Sequence, residues 1–150
     1  MSEEDYDRDL EAVHETVRPW FDEFAKSTHF ERLTDAQQRK AAGVIHHFTE
    51  YSFTYGGLTP AEWDRGGVIE CCLETLPRKI TAEQDYFAAV APVLAAFFGF
   101  LAERSLLKNA AVLAATVADL GDDIVPAPPI HGPGDRRRPS PCERWLTAWI

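Results

Sequence analysis

Two neighbouring histidines, His46 and His47, lie four and three residues before Glu50 in the sequence. Residues three or four positions apart share one face of a helix, so an imidazole ring and the Glu50 carboxylate can point at the same place. Imidazole nitrogens and carboxylate oxygens are ligands of zinc and of other divalent transition metals. This group is therefore the best candidate in the sequence for a metal site.

Another histidine, His14, follows Glu11 by three residues. Di-iron helical bundles use this Glu-x-x-His spacing twice and add a glutamate from each of two further helices. The spacing occurs once in this chain, so His14 is a candidate ligand only in combination with the His46 group. The alternative is that His14 and His46 lie at the surface and that His47 borders the core, with no metal bound.

Two adjacent cysteines, Cys71 and Cys72, raise the question of thiol chemistry. Cys72 falls on the apolar stripe of a helix, and Cys71 lies about 100° further round. Zinc sites built from cysteine need a spacing such as C-x₂-C with a second pair elsewhere, and the only other cysteine is Cys142. We therefore expect both residues to fill space in the core, without a disulfide framework.

The remaining motifs give little support for an enzyme. The sequence has no nucleophile elbow, no phosphate-binding loop and no dinucleotide fingerprint. Its net charge of −9 disfavours unspecific binding to nucleic acid or to an anionic membrane. One basic cluster, Arg136, Arg137 and Arg138, is either a contact for an anion or an acidic partner, or part of a solvated arm.

A helix-start signal, a Ser or Thr followed three positions later by Glu or Gln, occurs repeatedly and indicates an all-α protein. The pairs are Thr34–Gln37, Thr59–Glu62, Thr81–Gln84 and Ser140–Glu143. No segment alternates as a strand would. We expect a compact bundle of five or six helices around a hydrophobic central helix, residues 82–104, whose apolar run is too short to span a membrane.

Proline and glycine set the other predicted boundaries. The first helix presents apolar residues from Leu10 to Phe24 and should be kinked or divided at Pro19. A second helix should end at Gly56-Gly57. A third should run from Pro60 to Leu76 and be stopped by Pro77. A fifth should run from Asn109 to Leu120 and end at Gly121.

Composition divides the chain into a bundle (1–121), a proline-rich arm (122–141) and a short helix (142–150). Six of the ten prolines lie between residues 126 and 141. An exposed apolar patch is typical of an interaction site, so we expect the last segment to dock on the bundle, on a partner protein or on a second copy. Its apolar residues are Trp145, Leu146, Trp149 and Ile150.

The segment from Glu62 to Glu103 contains the strings CLETLPRKI, EQDYF and VLAAFFGFLAE. On these strings it resembles a helical segment of uncharacterised prokaryotic proteins, some of which also carry a SEC-C-type cysteine-rich zinc motif. The resemblance implies helix packing and brings no activity with it. The SEC-C-type motif is absent here, because Cys142 is the only cysteine in the tail.

These observations favour a cytoplasmic, non-catalytic interaction or scaffold module without a cofactor. Its partner would be a second copy, giving a homodimer, or another protein. The alternative is a metal-dependent helical-bundle enzyme that uses His46, His47 and Glu50, with His14 as a further ligand and a divalent metal as cofactor. Nucleic acid and membranes are not expected partners.

Overall fold

The structure is a computed structural model, and it describes residues 3–125 of the chain. Every regular element in this range is helical and no strand occurs there, which confirms the predicted all-α fold. The α-helices of this range are α1 (Glu3–Phe24), α2 (Thr28–Glu31), α3 (Asp35–Thr54), α4 (Arg65–Glu70), α5 (Leu76–Lys79), α6 (Gln84–Glu103) and α7 (Ala110–Asp119). A π turn, Cys71–Thr75, joins α4 to α5, and short 3₁₀ turns cover Pro60–Glu62 and Gly121–Asp123.

Two helices lie at the centre of the bundle. Helix α6 packs between α3 and α7, and α3 packs between α1 and α6. Helix α6 buries eleven residues, so the predicted hydrophobic central helix is confirmed. Helix α3 is buried over the nine consecutive residues 44–52, so it is enclosed on all sides as well. The sequence did not predict this second enclosed helix, because two histidines and a glutamate occur in the stretch.

Aromatic rings fill the space between the helices. Phe24 of α1 packs edge-on against Phe97 of α6, with ring centroids 5.4 Å apart. Phe48 of α3 contacts Phe98 of α6 at 5.6 Å and Trp63, just before α4, at 5.0 Å. Such edge-to-face pairs each add about 0.5–1.5 kcal/mol beyond the burial of their surface. The rings therefore join three helices and one loop into a single core.

Helix α3 begins at the capping box that the sequence predicts. The Thr34 hydroxyl accepts a hydrogen bond from the Gln37 amide at 3.1 Å, and the Gln37 side chain accepts one from the Thr34 amide at 3.0 Å. This reciprocal pair satisfies two backbone amides that a helix start would otherwise leave without partners. The prediction at this site is confirmed.

The second capping pair has a different outcome. The Glu62 carboxylate accepts from the Thr59 amide at 3.1 Å, but the pair opens only a 3₁₀ turn. The predicted third helix is therefore present, but the prediction that it starts at Pro60 is wrong. Helix α4 begins later, where the Asp64 carboxylate accepts a hydrogen bond from the Gly67 amide at 2.7 Å.

The third capping pair, Thr81–Gln84, does not form, because Glu83 is the residue before α6 and makes no side-chain cap bond. Helix α2 was not predicted at all. It begins at Ser27, whose hydroxyl accepts from the Phe30 amide at 3.3 Å. No Glu or Gln stands three residues after Ser27, so the capping-box pattern misses this start.

Two prolines of the described residues, Pro19 and Pro77, do not interrupt their helices. Helix α1 runs through Pro19 without division. Pro77 also fails to stop its helix, because the helical backbone continues from Arg65 through the π turn to Lys79. The π turn is closed by a hydrogen bond from the Leu76 amide to the Cys71 carbonyl. It leaves Pro77 in the first turn of α5, where a missing N–H costs least.

A residue with a left-handed backbone conformation follows each of the helices α3 and α6. Gly57 has a φ of 69°, which confirms the predicted glycine stop after α3. After α6 the left-handed residue is Ser105, and the next amide, that of Leu106, bonds to the Leu101 carbonyl at 2.9 Å. Gly121 does not have this conformation, so the prediction that it caps α7 in this way is wrong. Its neighbour is Ala91 of α6, and a Cβ at position 121 would lie 3.6 Å from the Ala91 Cβ.

The packed part of the chain continues past residue 121, where the predicted arm begins. Ile124 is only 3% exposed and belongs to the hydrophobic core. The rest of the predicted arm and the predicted helix at 142–150 lie outside the described residues. The apolar run that the sequence analysis judged too short for a membrane belongs to α6, which as a whole helix does have the length and composition needed to cross a bilayer. In the bundle, 61% of its most apolar 18-residue window is buried. Core packing therefore accounts for its apolar composition.

Truncation of Phe97 tests the central position of α6. Phe97 is fully buried, so Phe97→Ala should lower the free energy of unfolding by about 3–5 kcal/mol through lost burial and the cavity left behind. Val112→Ala is the control, because Val112 is 54% exposed and its truncation should change the free energy by less than about 0.5 kcal/mol. Urea unfolding measures both, and equal small effects would contradict the architecture.

Candidate functional site

Helices α1 and α3 run antiparallel and bring candidate ligands together. Near the start of α1, Tyr6 hydrogen-bonds to Thr54 at the end of α3. Two turns further along α1, His14 reaches Glu50, which lies one turn earlier on α3. Between Tyr6 and His14, Leu10 is buried and contributes to the packing of this face. The pairing therefore places a histidine of α1 beside the polar stretch of α3.

His14, His46 and Glu50 form one buried group, which we call the His–His–Glu cluster. One nitrogen or oxygen atom from each residue lies within 4.8 Å of the other two. His14 Nε2 and Glu50 Oε1 are 3.4 Å apart. The three residues are 3%, 0% and 3% exposed, so solvent contributes almost nothing to the site. Because burial of an ionised carboxylate costs several kcal/mol, Glu50 needs a cation or hydrogen-bond donors beside it.

The two imidazole rings of the cluster are stacked. The His14 and His46 centroids are 4.4 Å apart and the rings are inclined by 16°. In-plane nitrogen lone pairs of parallel rings run side by side rather than converging. One ring must therefore turn about its Cβ–Cγ bond before both nitrogens reach a single ion. That torsion is broad in histidine, so the packing around the two buried rings, rather than the torsion itself, limits the turn.

His47 points away from the cluster, although it is the neighbour of His46. Its Nδ1 shares a hydrogen bond with the Tyr86 hydroxyl of α6 at 2.7 Å, and its ring stacks on Tyr51. Burial lowers the pKa of His47 to about 4, and the negative charge of Glu50 opposes this shift only in part. His47 is therefore neutral near pH 7 and links α3 to α6.

The interpretation of His14 and His46 as surface residues is wrong. Both are buried because α3 is enclosed by its neighbours and because α1 covers the face that carries His46. Of the four predicted ligands, the structure brings together His14, His46 and Glu50, and it directs His47 towards α6. Glu11, which suggested the di-iron spacing, is exposed and lies outside the cluster.

Tyr86, the hydrogen-bond partner of His47, is a residue of this region that sequence reasoning missed. It lies at the start of the apolar run of α6 and is 7% exposed. A buried tyrosine usually needs a hydrogen-bond partner for its hydroxyl, so a tyrosine on an apolar helix is a signal for a polar partner elsewhere. The signal does not say which partner, since His47 is 39 positions away in the sequence.

Cys71 and Cys72 are buried, which confirms them as packing residues. Burial raises the pKa of Cys71 to about 12 and that of Cys72 well above its ordinary value. Thiol chemistry requires the thiolate, and burial suppresses it at both positions. Neighbours 100° apart can both be buried here because this segment packs against α3 through the π turn and against α7 through α4.

No protein-family model matches this chain, and comparison with curated proteins and with solved structures found no match. The resemblance of residues 62–103 to prokaryotic helical proteins stays a prediction. Fold and site define an all-α bundle with a buried histidine–carboxylate cluster. Two other predicted interaction groups, Arg136–Arg138 and the apolar residues Trp145, Leu146, Trp149 and Ile150, lie outside the described residues.

Thiol labelling tests the inert character of the cysteine pair. We expect no more than one of the three thiols to react rapidly with a maleimide at pH 8 in the native protein, since Cys71 and Cys72 are buried with raised pKa values. All three should react in urea. Mass spectrometry of digested, labelled protein identifies the sites, and rapid native labelling of Cys71 or Cys72 would contradict their burial.

The pKa of His47 predicts a loss of stability in acid. The unfolded state binds a proton near pH 6.5 and the folded state only near pH 4, so the contribution of neutral His47 is complete above pH 6.5 and is lost between these values. The loss amounts to about 3 kcal/mol at most. Urea unfolding of chelator-treated protein at pH 7.5, 5.5 and 4.5 measures it. His47→Gln should lose less stability over this range, and an identical loss in both proteins would contradict the assignment.

Proposed function

We propose that this protein is a non-catalytic helical module that holds one divalent transition-metal ion between α1 and α3. The observation that carries the proposal is the His–His–Glu cluster, in which three donor atoms from two helices lie within 4.8 Å of one another. A bound ion would link α1 to α3 and compensate the buried charge of Glu50. Its role is therefore structural, with the surface of the bundle left for interactions.

The donor set indicates which ions fit. Two imidazoles and one carboxylate suit zinc and ferrous iron, whereas magnesium and calcium prefer sets made of oxygen alone. Bonds of about 2.0–2.2 Å in a tetrahedral site place ligand atoms roughly 3.3–3.6 Å apart. His14 Nε2 and Glu50 Oε1 are already at 3.4 Å. Ligand atoms that are as much as 4.8 Å apart must approach by about 1.2–1.5 Å, which requires one imidazole to turn.

The cluster supplies three ligands, so water or another donor must complete a tetrahedral site. The burial of the cluster, rather than its number of ligands, favours a structural ion over a catalytic one. A catalytic metal keeps a coordination position open to water and substrate. His46 is fully buried here, and His14 and Glu50 are each 3% exposed, so a substrate cannot reach the ion without separating α1 from α3. The metal-dependent enzyme predicted as the alternative would need that separation, and a structural ion would oppose it.

Metal titration of the untagged, chelator-stripped chain tests this function. We expect about one Zn²⁺ per chain by isothermal titration followed by metal analysis. Excess ion should raise the free energy of unfolding by about 2.7 kcal/mol when free Zn²⁺ is a hundred times the Kd, because only the folded state presents the site. Co²⁺ should bind in the same stoichiometry and report the ligand geometry by its visible spectrum.

Two adjacent histidines provide the matched controls. His46→Gln should weaken Zn²⁺ binding at least tenfold, whereas His47→Gln should leave it unchanged, because the His47 side chain bonds to Tyr86 instead. Glu50→Gln provides a second cluster variant of similar shape, and circular dichroism checks that each variant is folded. Equal effects of His46→Gln and His47→Gln, or no stoichiometric binding in the unaltered chain, would overturn the proposal.

Self-association remains the second candidate function. The observation that favours it is the group of large apolar residues at the end of the chain, Trp145, Leu146, Trp149 and Ile150. Two chains that exchange this segment would form a symmetric dimer. Light scattering of the full chain over a range of concentrations measures it, and a mass of 16.8 kDa throughout would contradict it.

A further inference from the structure

A surface cleft lies between the end of α3 and the start of α4. Its volume is about 360 Å³, and buried side chains of Tyr51, Ser52 and Cys71 contribute to its walls. The exposed carboxylates of Asp64 and Glu70 stand at its edge. The cleft therefore combines an aromatic wall with negative charge.

A second depression, of about 400 Å³, adjoins the first and shares Glu70 with it. Tyr55 lines this part and is 52% exposed, the one aromatic ring with a large accessible face among the described residues. The Lys79 ammonium lies 4.9 Å from the centre of that ring, which shows that the ring already accepts a cation. Glu74 adds another carboxylate to this depression, whose lining also contains the basic residues Arg78 and Lys79. Arg78 pairs with Glu74 at 3.1 Å, so Glu70 is the carboxylate of this depression that a further arginine reaches most directly. We call the joined surface the α3–α4 cleft.

The charges of the chain are divided between two parts. Residues 1–125 contain twenty-two acidic and eleven basic side chains, a net charge of −11, whereas residues 126–150 contain two acids and four arginines, a net charge of +2. The same final segment carries two of the four tryptophans. Arginine and tryptophan are the side chains that match carboxylates and a tyrosine face.

The chain beyond residue 125 is long enough to cross a domain of this size. The ten residues from 126 to 135 span up to roughly 33–36 Å when extended, and a domain of this size is about 35 Å across. Val125, the last described residue, is 50% exposed and lies at the surface of the bundle. A tethered segment also has an effective concentration on the order of millimolar at its own domain. In dilute protein its own cleft is therefore favoured over that of a second copy.

We propose that residues 136–150 of the same chain occupy the α3–α4 cleft, with arginines beside Glu70 and Glu74 and a tryptophan ring against Tyr55. The bundle then covers its own tryptophans. Any partner of this surface must displace the segment, so a partner would need a similar pairing of basic and aromatic residues. The inference does not depend on the metal proposal, because no residue of the His–His–Glu cluster lines the cleft.

A spin label on Cys142 of the full chain tests the location of the segment. Cys71 and Cys72 are buried, so a nitroxide reagent can be directed to this cysteine. The amide signals of Tyr55, Gly67 and Glu74 should be strongly broadened, and those of α2, which packs on α6, should not. Cys142→Ser protein treated with the same nitroxide reagent is the control for labelling at other residues. Uniform weak broadening, or broadening centred on the exposed face of α7, would overturn the proposal.

Charge variants test the contacts. Glu70→Lys with Glu74→Lys should remove most of the broadening at the cleft, whereas the same charge change on α1, Asp22→Lys with Glu23→Lys, should leave it intact. Replacing Arg136, Arg137 and Arg138 by Glu in the protein that carries Glu70→Lys and Glu74→Lys should restore the broadening at the cleft. Broadening should also fall with added salt. No loss in the cleft variant, or equal loss in the α1 control, would contradict the assigned contacts.

Mixed samples distinguish one molecule from two. Isotope-labelled Cys142→Ser chains are combined with unlabelled chains that carry the nitroxide. No broadening of the isotope-labelled chains at low concentration supports docking within one molecule. Strong broadening at their α3–α4 cleft would overturn it in favour of exchange between two copies.

Discussion

The enclosure of α3 is the constraint on which the rest of the structure depends. Its nine consecutive buried residues include five polar side chains, namely His46, His47, Thr49, Glu50 and Ser52. A buried polar group costs free energy unless it has a hydrogen-bond or charge partner. The neighbouring helices supply such partners, because α1 brings His14 to Glu50 and α6 brings the Tyr86 hydroxyl to His47. Thr49 is satisfied within α3, by the Ile45 carbonyl at 2.7 Å.

These polar contacts also restrict how the helices can pair. Apolar packing alone tolerates small shifts of one helix along another, whereas a buried carboxylate that loses its partner is strongly destabilising. The contact between Glu50 and His14 therefore favours one register of α1 on α3, and the contact between His47 and Tyr86 favours one register of α6 on α3. We offer register selection as a hypothesis for why a core helix contains histidine and glutamate. A bound ion would strengthen the same selection.

At the surface, the distribution of charge along the chain matters more than the pairing of buried polar groups. The described part of the chain is strongly acidic, whereas the positive charge of the final segment is concentrated in four arginines. Opposite charges on one chain attract over about 10 Å at moderate salt, and they act on encounter and specificity more than on affinity. Burial of an aromatic ring then has to supply much of the affinity. The α3–α4 cleft offers both kinds of contact, with carboxylates at its edge and the exposed ring of Tyr55.

The sequence by itself determined the helical class, the start of α3 at Thr34, the stop at Gly57 and the central position of α6, because each rests on residues that are near one another along the chain. It also identified the three residues that form the His–His–Glu cluster as candidate metal ligands. It did not determine the burial of His14 and His46, the contact of His47 with Tyr86, or the continuation of a helix through Pro77. Those depend on the tertiary structure, because burial and pairing are set by which helices pack together. A side chain separated from its partner by more than thirty residues carries no local signal of that partner.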